Sequence, residues 1–278
     1  MTDLETHDGD VAEWWQTAII EMEPGRIALR GTPIQELIGA VSFADMIWRM
    51  LVGREASAGQ IRLFEAALVA AVDHGPQAPS VAAARMAATC GVGINSAMAT
   101  GINLLGDVHG GAGQQAVALY ADIAERLARK PDDHAFARVV GEGVAAWQAE
   151  HGKFVPGFGH RFHKPVDPRA PRLMALVREE AASGAVTGRY ADIGEAVEAH
   201  LTTKAGRPIP MNIDGATAVI FSELGLDAHR ARAAFCLSRA VGIAAHAAEQ
   251  MDQGGRNKGP TPPGYRWAYT GPETDRFG

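Results

Sequence analysis

GDVHGGAGQQAVALYADIAERLAR, residues 106–129, sets four glycines around a single histidine, His109, and then runs directly into a regular helical pattern. Glycine frees the backbone to turn tightly, and the N–H groups at a helix start favour negative charge. His109 is therefore either a ligand-facing side chain or a turn histidine making one structural hydrogen bond. Both neighbours of this stretch are also helical: Ala-rich runs at about 80–90 and 94–105 precede it, with a Gly-Val-Gly break at 91–93, and a run at 134–150 follows it.

Further along, GKFVPGFGHRFHKPVDPRAPRL (152–173) breaks the helical rhythm. Pro156, Gly157 and Gly159 lead into His160, followed by Arg161, His163, Lys164, Asp167, Arg169 and Arg172. Its glycines permit close backbone approach, and its cations suit phosphates or carboxylates; a solvated basic loop is the plainer reading. Helices are expected at 172–183 and at about 190–204, the latter stopped by Lys204-Ala205-Gly206-Arg207-Pro208.

In PIPMNIDGATAVIFSELGL (208–226), Asp214 precedes an apolar helix and is read either as a carboxylate of raised pKa suited to proton transfer at carbon or as that helix's cap. Arg239 lies in AAFCLSRAVGIAAHAA, an apolar run within a helix at 229–250, where burial demands an anion or acidic partner. His246, seven residues on, reads as a packed helix histidine. Toward the N-terminus, 33–53 gives one or two amphipathic helices and 58–74 another that stops near His74-Gly75-Pro76; Pro24-Gly25 marks a turn next to a short extended stretch. The Gly- and Pro-rich tail carries Tyr265, Trp267 and Tyr269, aromatics expected to dock on something.

The bulk properties narrow the function. With 278 residues, 47% of them hydrophobic, the chain has material for a large core. A net charge of −6 with scattered cations argues against nucleic acid. The two cysteines, Cys90 and Cys236, are far apart and read as reduced core residues, which fits the cytoplasm. No targeting or membrane-spanning stretch is read, and the ten histidines show no metal-ligand spacing beyond His160 and His163, so no metal is expected. What remains is a dispersed set, His74, His109, His160, Arg169, Asp214 and Arg239, suited to a di- or tricarboxylate and to acid–base chemistry.

These residues stand in segments that resemble the citrate synthase and citryl-CoA lyase superfamily. GDVHGGA (106–112) and PGFGHRFHKPVDPR (156–169) resemble its two catalytic-histidine loops, and NIDG (212–215) its catalytic-aspartate segment. LSRAVGIAAHAAEQ (237–250) is similar to the helix with a substrate arginine, and DHGPQAPSVAAAR (73–85) to the region at the 2-oxo acid end; PGRIALRG (24–31) also looks related. The resemblance implies an all-α fold: a large domain from 1–110 and 225–278, a small one from 111–224, an active site in the cleft between them, and a homodimer. It implies His109, His160 and Asp214 as catalytic residues, His74, Arg169 and Arg239 on the oxaloacetate carboxylates, and Pro156, Gly157, Phe158, Gly159, Arg161 and Lys164 facing coenzyme A.

Two departures bear on the reaction. The chain is shorter than a typical citrate synthase, and its tail reads PPGYRWAYTGP where the family's partner subunit supplies an arginine in an Arg-Pro sequence; Arg256 and Arg266 are the candidate replacements. The NIDG sequence and the Gly-Tyr-Arg tail look closer to the citryl-CoA lyase module of ATP-citrate lyase, and the length is that of the short stand-alone citryl-CoA lyases, which resemble the chain better because that module has phenylalanine where this chain keeps His109. The expected reaction is cleavage of citryl-CoA to acetyl-CoA and oxaloacetate. Citrate or 2-methylcitrate synthesis, or cleavage of a related carboxylated 3-hydroxyacyl-CoA, are the alternatives.

Overall fold

The computed structural model describes residues 14–129, 135–160 and 165–272. Near the start, Glu23↔Arg26 pairing leaves Pro24-Gly25 as a two-residue turn, with Gly25 at φ +77°, so the expected extended stretch is an antiparallel hairpin. Its strands are β1 (Ile20–Glu23) and β2 (Arg26–Leu29), and the two-residue β3 (Thr32–Pro33) adds to β2. The remaining regular structure is helical: α1 (Ile34–Leu37), α2 (Phe43–Val52), α3 (Ala58–Ala71), α4 (Pro79–Thr89), α5 (Ile94–Ile102), α6 (Ala112–Arg129), α7 (Phe136–His151), α8 (Arg169–Ala182), α9 (Arg189–Ala205), α10 (Ile213–Glu223) and α11 (Ala228–Gln253). The all-α expectation holds, and the 33–53 segment resolves into two helices. No helix among the described residues is long and apolar enough to cross a membrane.

The chain divides into two compact units. One takes the chain up to Val69 together with Gly113–Ala234; the other takes Ala70–Ala112 together with Phe235 onward. The N-terminal part goes with the middle of the sequence because charged groups tie it there. Arg62 pairs with Glu179 at 2.9 Å and with the mostly buried Glu180 at 2.6 Å, and Arg54 donates to the Leu224 carbonyl at 2.9 Å.

Within the first unit, Trp48 and Phe64 are fully buried and meet edge to face at 5.6 Å, and Phe64 meets Phe221 in the same way at 6.4 Å. Trp48 resolves its one polar atom by donating to the Arg54 carbonyl. Helix α10 is apolar nearly all round and is buried from Ile213 to Ser222, with Asp214 as the only exception. In the second unit, small residues let helices approach closely: Ala78, Val81, Ala84, Ala97, Leu105, Ile243 and Ala247 form the core. A Cβ added to Gly101 would lie 2.7 Å from the Ser80 carbonyl oxygen and 2.8 Å from the Ile243 side chain, so α5 packs there without room for a methyl group.

The cysteine expectation needs correction. Cys90 is exposed because it sits at the C-cap of α4, where the helix has ended, and Cys236 is only half-buried. Tyr265, Trp267 and Tyr269 are 74%, 87% and 69% exposed, so among the described residues most of their surface is uncovered.

Phe64→Ala removes the ring that joins Trp48 to Phe221 and is expected to cost about 3–5 kcal/mol in urea unfolding. A loss under about 1 kcal/mol would mean that the aromatic stack does not anchor this unit.

Candidate active site

In the first unit, two loops are joined through their backbones. Gly159 N–H donates to the Pro210 carbonyl at 2.7 Å and Asn212 N–H to the Gly157 carbonyl at 2.9 Å, with Phe158 and Met211 paired between them. The contact requires glycine on both sides. Gly157 has φ +87°, and a Cβ there would lie 2.6 Å from Gly215 Cα; a Cβ on Gly215 would lie 2.4 Å from Gly157 O. The segment Pro156–His160 is thereby held against the turn that carries Asp214.

Asn212, not Asp214, caps α10. Its Oδ1 accepts from the N–H groups of Asp214 and Gly215 at 2.9 and 3.2 Å, and its Nδ2 donates to the Gly159 carbonyl at 2.7 Å. This relieves Asp214 of the capping role and leaves it partly exposed in a helix otherwise buried from Ile213 to Ser222. At the start of α6, a Cβ on Gly113 would be 3.9 Å from Asp214 Oδ1.

Asp167 organises the same region. It is 1% exposed and receives Arg169 Nε at 3.0 Å, Arg169 Nη2 at 2.9 Å, Arg169 N–H at 3.1 Å and Ile213 N–H at 3.2 Å. Burial alone would raise its pKa, but the hydrogen bonds and charge of Arg169, with the Ile213 N–H, hold it at about 2. Arg169, expected from the sequence to face a substrate carboxylate, is thus oriented by a two-pronged pair with Asp167.

His160, Phe158 and Gly159 line a cavity of about 1020 Å³ together with Phe154, Val155 and the exposed cations Lys153, Lys204 and Arg207. None of these three cations is assigned a binding role by its place in the sequence. Lys204 and Arg207 stand in a segment whose helix-stop signal was the stronger one, and only tertiary packing brings them to the PGFGH loop. Arg161 and Lys164, expected at coenzyme A, lie outside the described residues.

The second unit holds the other half of the set. Ser80, near the N-terminus of α4, donates its backbone N–H to His109 Nε2 at 3.2 Å, and its hydroxyl lies 2.9 Å from the same nitrogen. A backbone N–H can only donate, so Nε2 is the accepting nitrogen and the proton of the neutral ring is on Nδ1. Burial lowers the His109 pKa, and the charge of Arg239 lowers it further. The loop geometry depends on glycine: a Cβ on Gly111 would meet the Asp107 backbone at 2.5 Å, and one on Gly110, at φ +90°, would meet Phe235 at 2.9 Å.

Arg239 is 6% exposed, donates Nε to the Ala71 carbonyl at 3.0 Å, and stacks over the Phe235 ring at 5.0 Å. His74 is exposed in the loop between α3 and α4. Its neighbour Asp73 faces His246 at 3.2 Å. His246, read in the sequence as a packing residue, has polar partners on both ring nitrogens, the second being Arg85 at 3.1 Å. Among the described residues no group of three His, Cys, Asp or Glu side chains is placed to hold a metal ion.

Helical fold, histidine loops and aspartate turn together define an enzyme of the citrate synthase superfamily. The sequence profile described as "Citrate synthase, C-terminal domain" matches residues 30–260, and the chain belongs to that family. It is 29% identical over 240 residues to the citrate synthase of Saccharolobus solfataricus, covering 85% of this chain and 59% of that protein. The chain thus spans little more than half the length of the curated relatives it matches. The solved citryl-CoA lyase of Hydrogenobacter thermophilus superposes with a TM-score of 0.80 at 30% identity, over 94% of this chain and 96% of that one. The ATP citrate lyase of Methanothrix soehngenii, solved with citrate and coenzyme A, shares the fold at a TM-score of 0.75 and 20% identity, over 93% of this chain and 42% of that one.

The Asp167 carboxylate falls from its usual 3.8 to about 2 on folding, so its contribution is present above about pH 4 and lost as pH falls toward 2. Asp167→Asn is expected to lose about 2 kcal/mol at pH 7, with the gap to the parent narrowing between pH 4 and 2 in denaturant titrations. A gap independent of pH over that window would show that the ionised form is not what stabilises the turn.

Proposed function

We propose that this chain is a citryl-CoA lyase that cleaves citryl-CoA to acetyl-CoA and oxaloacetate, acting as a cytoplasmic homodimer without a metal. The observation that carries the choice of reaction is the near end-to-end likeness to the citryl-CoA lyase of Hydrogenobacter thermophilus at 30% identity. The exposed tail aromatics Tyr265, Trp267 and Tyr269 support a dimer that covers them.

The chemistry follows from the side chains. His160 accepts the proton of the tertiary hydroxyl, and the carbon–carbon bond breaks as the hydroxyl-bearing carbon becomes the ketone of oxaloacetate. The released electron pair passes into the thioester as an enolate. His109 is suited to hold that oxygen: with Nε2 accepting from Ser80, the ring is neutral and offers its Nδ1–H as a hydrogen-bond donor. Asp214, freed from capping by Asn212, delivers a proton to the terminal carbon and completes acetyl-CoA. His74, Arg169 and Arg239 hold the carboxylates of the oxaloacetate half, and the geometry supports Arg169 in this role because Asp167 fixes the plane of its guanidinium.

Coenzyme A is assigned to Pro156, Gly157, Phe158 and Gly159, with Arg161 and Lys164, and the cavity adds Lys153, Lys204 and Arg207 as phosphate partners. The second reading is a citrate or 2-methylcitrate synthase, favoured by relatives such as that of Saccharolobus solfataricus, 29% identical. It requires the same groups in reverse and a thioester hydrolysis.

Mass-spectrometric analysis after mixing the purified chain with citryl-CoA, without ATP or added metal, separates the two. Acetyl-CoA with oxaloacetate is the expected product pair. Citrate with free CoA above the uncatalysed background would establish the synthase reaction, and neither pair would remove the citryl substrate. Asp214→Asn is expected to lower turnover by at least about a hundredfold while acetyl-CoA binding persists. Unchanged turnover would take Asp214 out of the mechanism.

A further inference from the structure

We propose that Asp73 and His246 form a positioning pair that sets His74 relative to Arg239, and so governs binding of the 2-oxo acid half of the substrate. The inference rests on the reading of His74 and Arg239 as carboxylate-binding residues.

One face of α11 carries Arg239, Gly242 and His246 at i, i+3 and i+7, and these meet Ala71, Val72 and Asp73 in succession. Arg239 donates to the Ala71 carbonyl at 3.0 Å. At Gly242 the helix touches the loop directly, since a Cβ there would lie 2.3 Å from the Val72 carbonyl oxygen and 3.0 Å from Asp73 Oδ1. His246 Nε2 then stands 3.2 Å from that same Oδ1. The segment leading to His74 is thus matched to the helix residue by residue.

Hydrogen-bond roles on His246 are fixed by its other neighbour. Arg85 Nη1, which can only donate, lies 3.1 Å from His246 Nδ1, so Nδ1 accepts and Nε2 carries the proton that faces Asp73. Arg85 is itself held by Glu249 at 2.6 Å and Gln253 at 2.9 Å, both on α11. The Asp73 carboxylate turns the other way as well: Oδ2 accepts the Gly75 N–H at 3.0 Å. The backbone just after His74 is therefore held by one carboxylate oxygen, and the other, which accepts no hydrogen bond among the described residues, stands at ion-pair distance from His246. Neither residue is needed as a substrate ligand for this role. Their effect is on where the imidazole of His74 is presented.

Oxaloacetate and acetyl-CoA binding to the full chain, measured by calorimetry, with steady-state condensation kinetics, test this for His246→Ala, His246→Gln and Arg239→Ala. Glutamine keeps an acceptor for Arg85 and a donor for Asp73, whereas alanine keeps neither. His246→Ala is expected to weaken oxaloacetate binding roughly tenfold or more and to raise the oxaloacetate KM more than it lowers kcat, with acetyl-CoA affinity within about twofold. His246→Gln is expected to recover most of the loss. Unchanged oxaloacetate affinity in His246→Ala, or a glutamine variant as impaired as the alanine one, would overturn the positioning pair. Unchanged affinity in Arg239→Ala would instead overturn the underlying assignment of the carboxylate site. Should His246→Ala not fold, as judged by thermal unfolding, Asp73→Asn carries the same test with the same expected split.

Discussion

A contact with no side chain in it underlies the candidate site residues of the first unit. Gly157 and Gly215 press backbone against backbone, and any β-carbon on either would collide with the other within 2.6 Å. Because nothing intervenes, the hydrogen bonds beside this contact can close: Asn212 to Gly157, and Gly159 to Pro210. The functional loop is thereby joined to the N-terminus of the most deeply buried helix in the unit. Asp214 sits on this rigid platform and is partly exposed at the start of a helix that is otherwise buried as far as Ser222.

Three buried polar side chains show how desolvation is offset in each unit. Asp167, Asn212 and Arg239 each fall below 9% exposure, and each has hydrogen bonds of 2.7–3.2 Å that replace the water it has lost. Their partners are mostly backbone N–H or C=O groups of neighbouring functional segments. The same bonds that offset desolvation therefore also hold these segments in place. His109 follows this logic from the opposite direction: an N–H at the start of α4 occupies its Nε2, and Arg239 disfavours its protonation, so a neutral imidazole is the stable form.

Periodicity and punctuation made the helices legible. Pro79 opens α4, Gly206 closes α9, and the Gly-rich run before Ala112 marks where α6 begins. The candidate residues were legible through their unusual surroundings: His109 between glycines, Arg239 within an apolar helix, Asp214 before one. What the sequence concealed were relations through space. Asp167 stands two residues before Arg169, but only the folded turn shows it clamping that arginine and reaching Ile213 as well. Asp214 and Asn212 are equally good caps on paper, and the choice between them is made by Gly159, whose carbonyl engages the Asn212 amide. Lys204 and Arg207 read as the end of a helix because their distance in sequence from the PGFGH loop gives no hint of a shared cavity. Cys90 read as core because its neighbours are apolar, yet the helix stops at its position and turns it outward.

The cationic edge of that cavity has a kinetic consequence. The chain as a whole carries −6, so a polyanion at a distance meets repulsion. Lys153, Lys204 and Arg207 reverse that sign locally beside an apolar wall of Phe154, Val155 and Phe158, and at physiological ionic strength the reversal is felt only within about 8 Å. On the proposed coenzyme A assignment, encounter with the ligand's phosphates is steered at short range, and salt acts on two opposed fields at once: it relaxes the general repulsion while weakening the local capture. The association rate of such a ligand should depend on ionic strength much less steeply than the local cluster of positive charge alone would dictate.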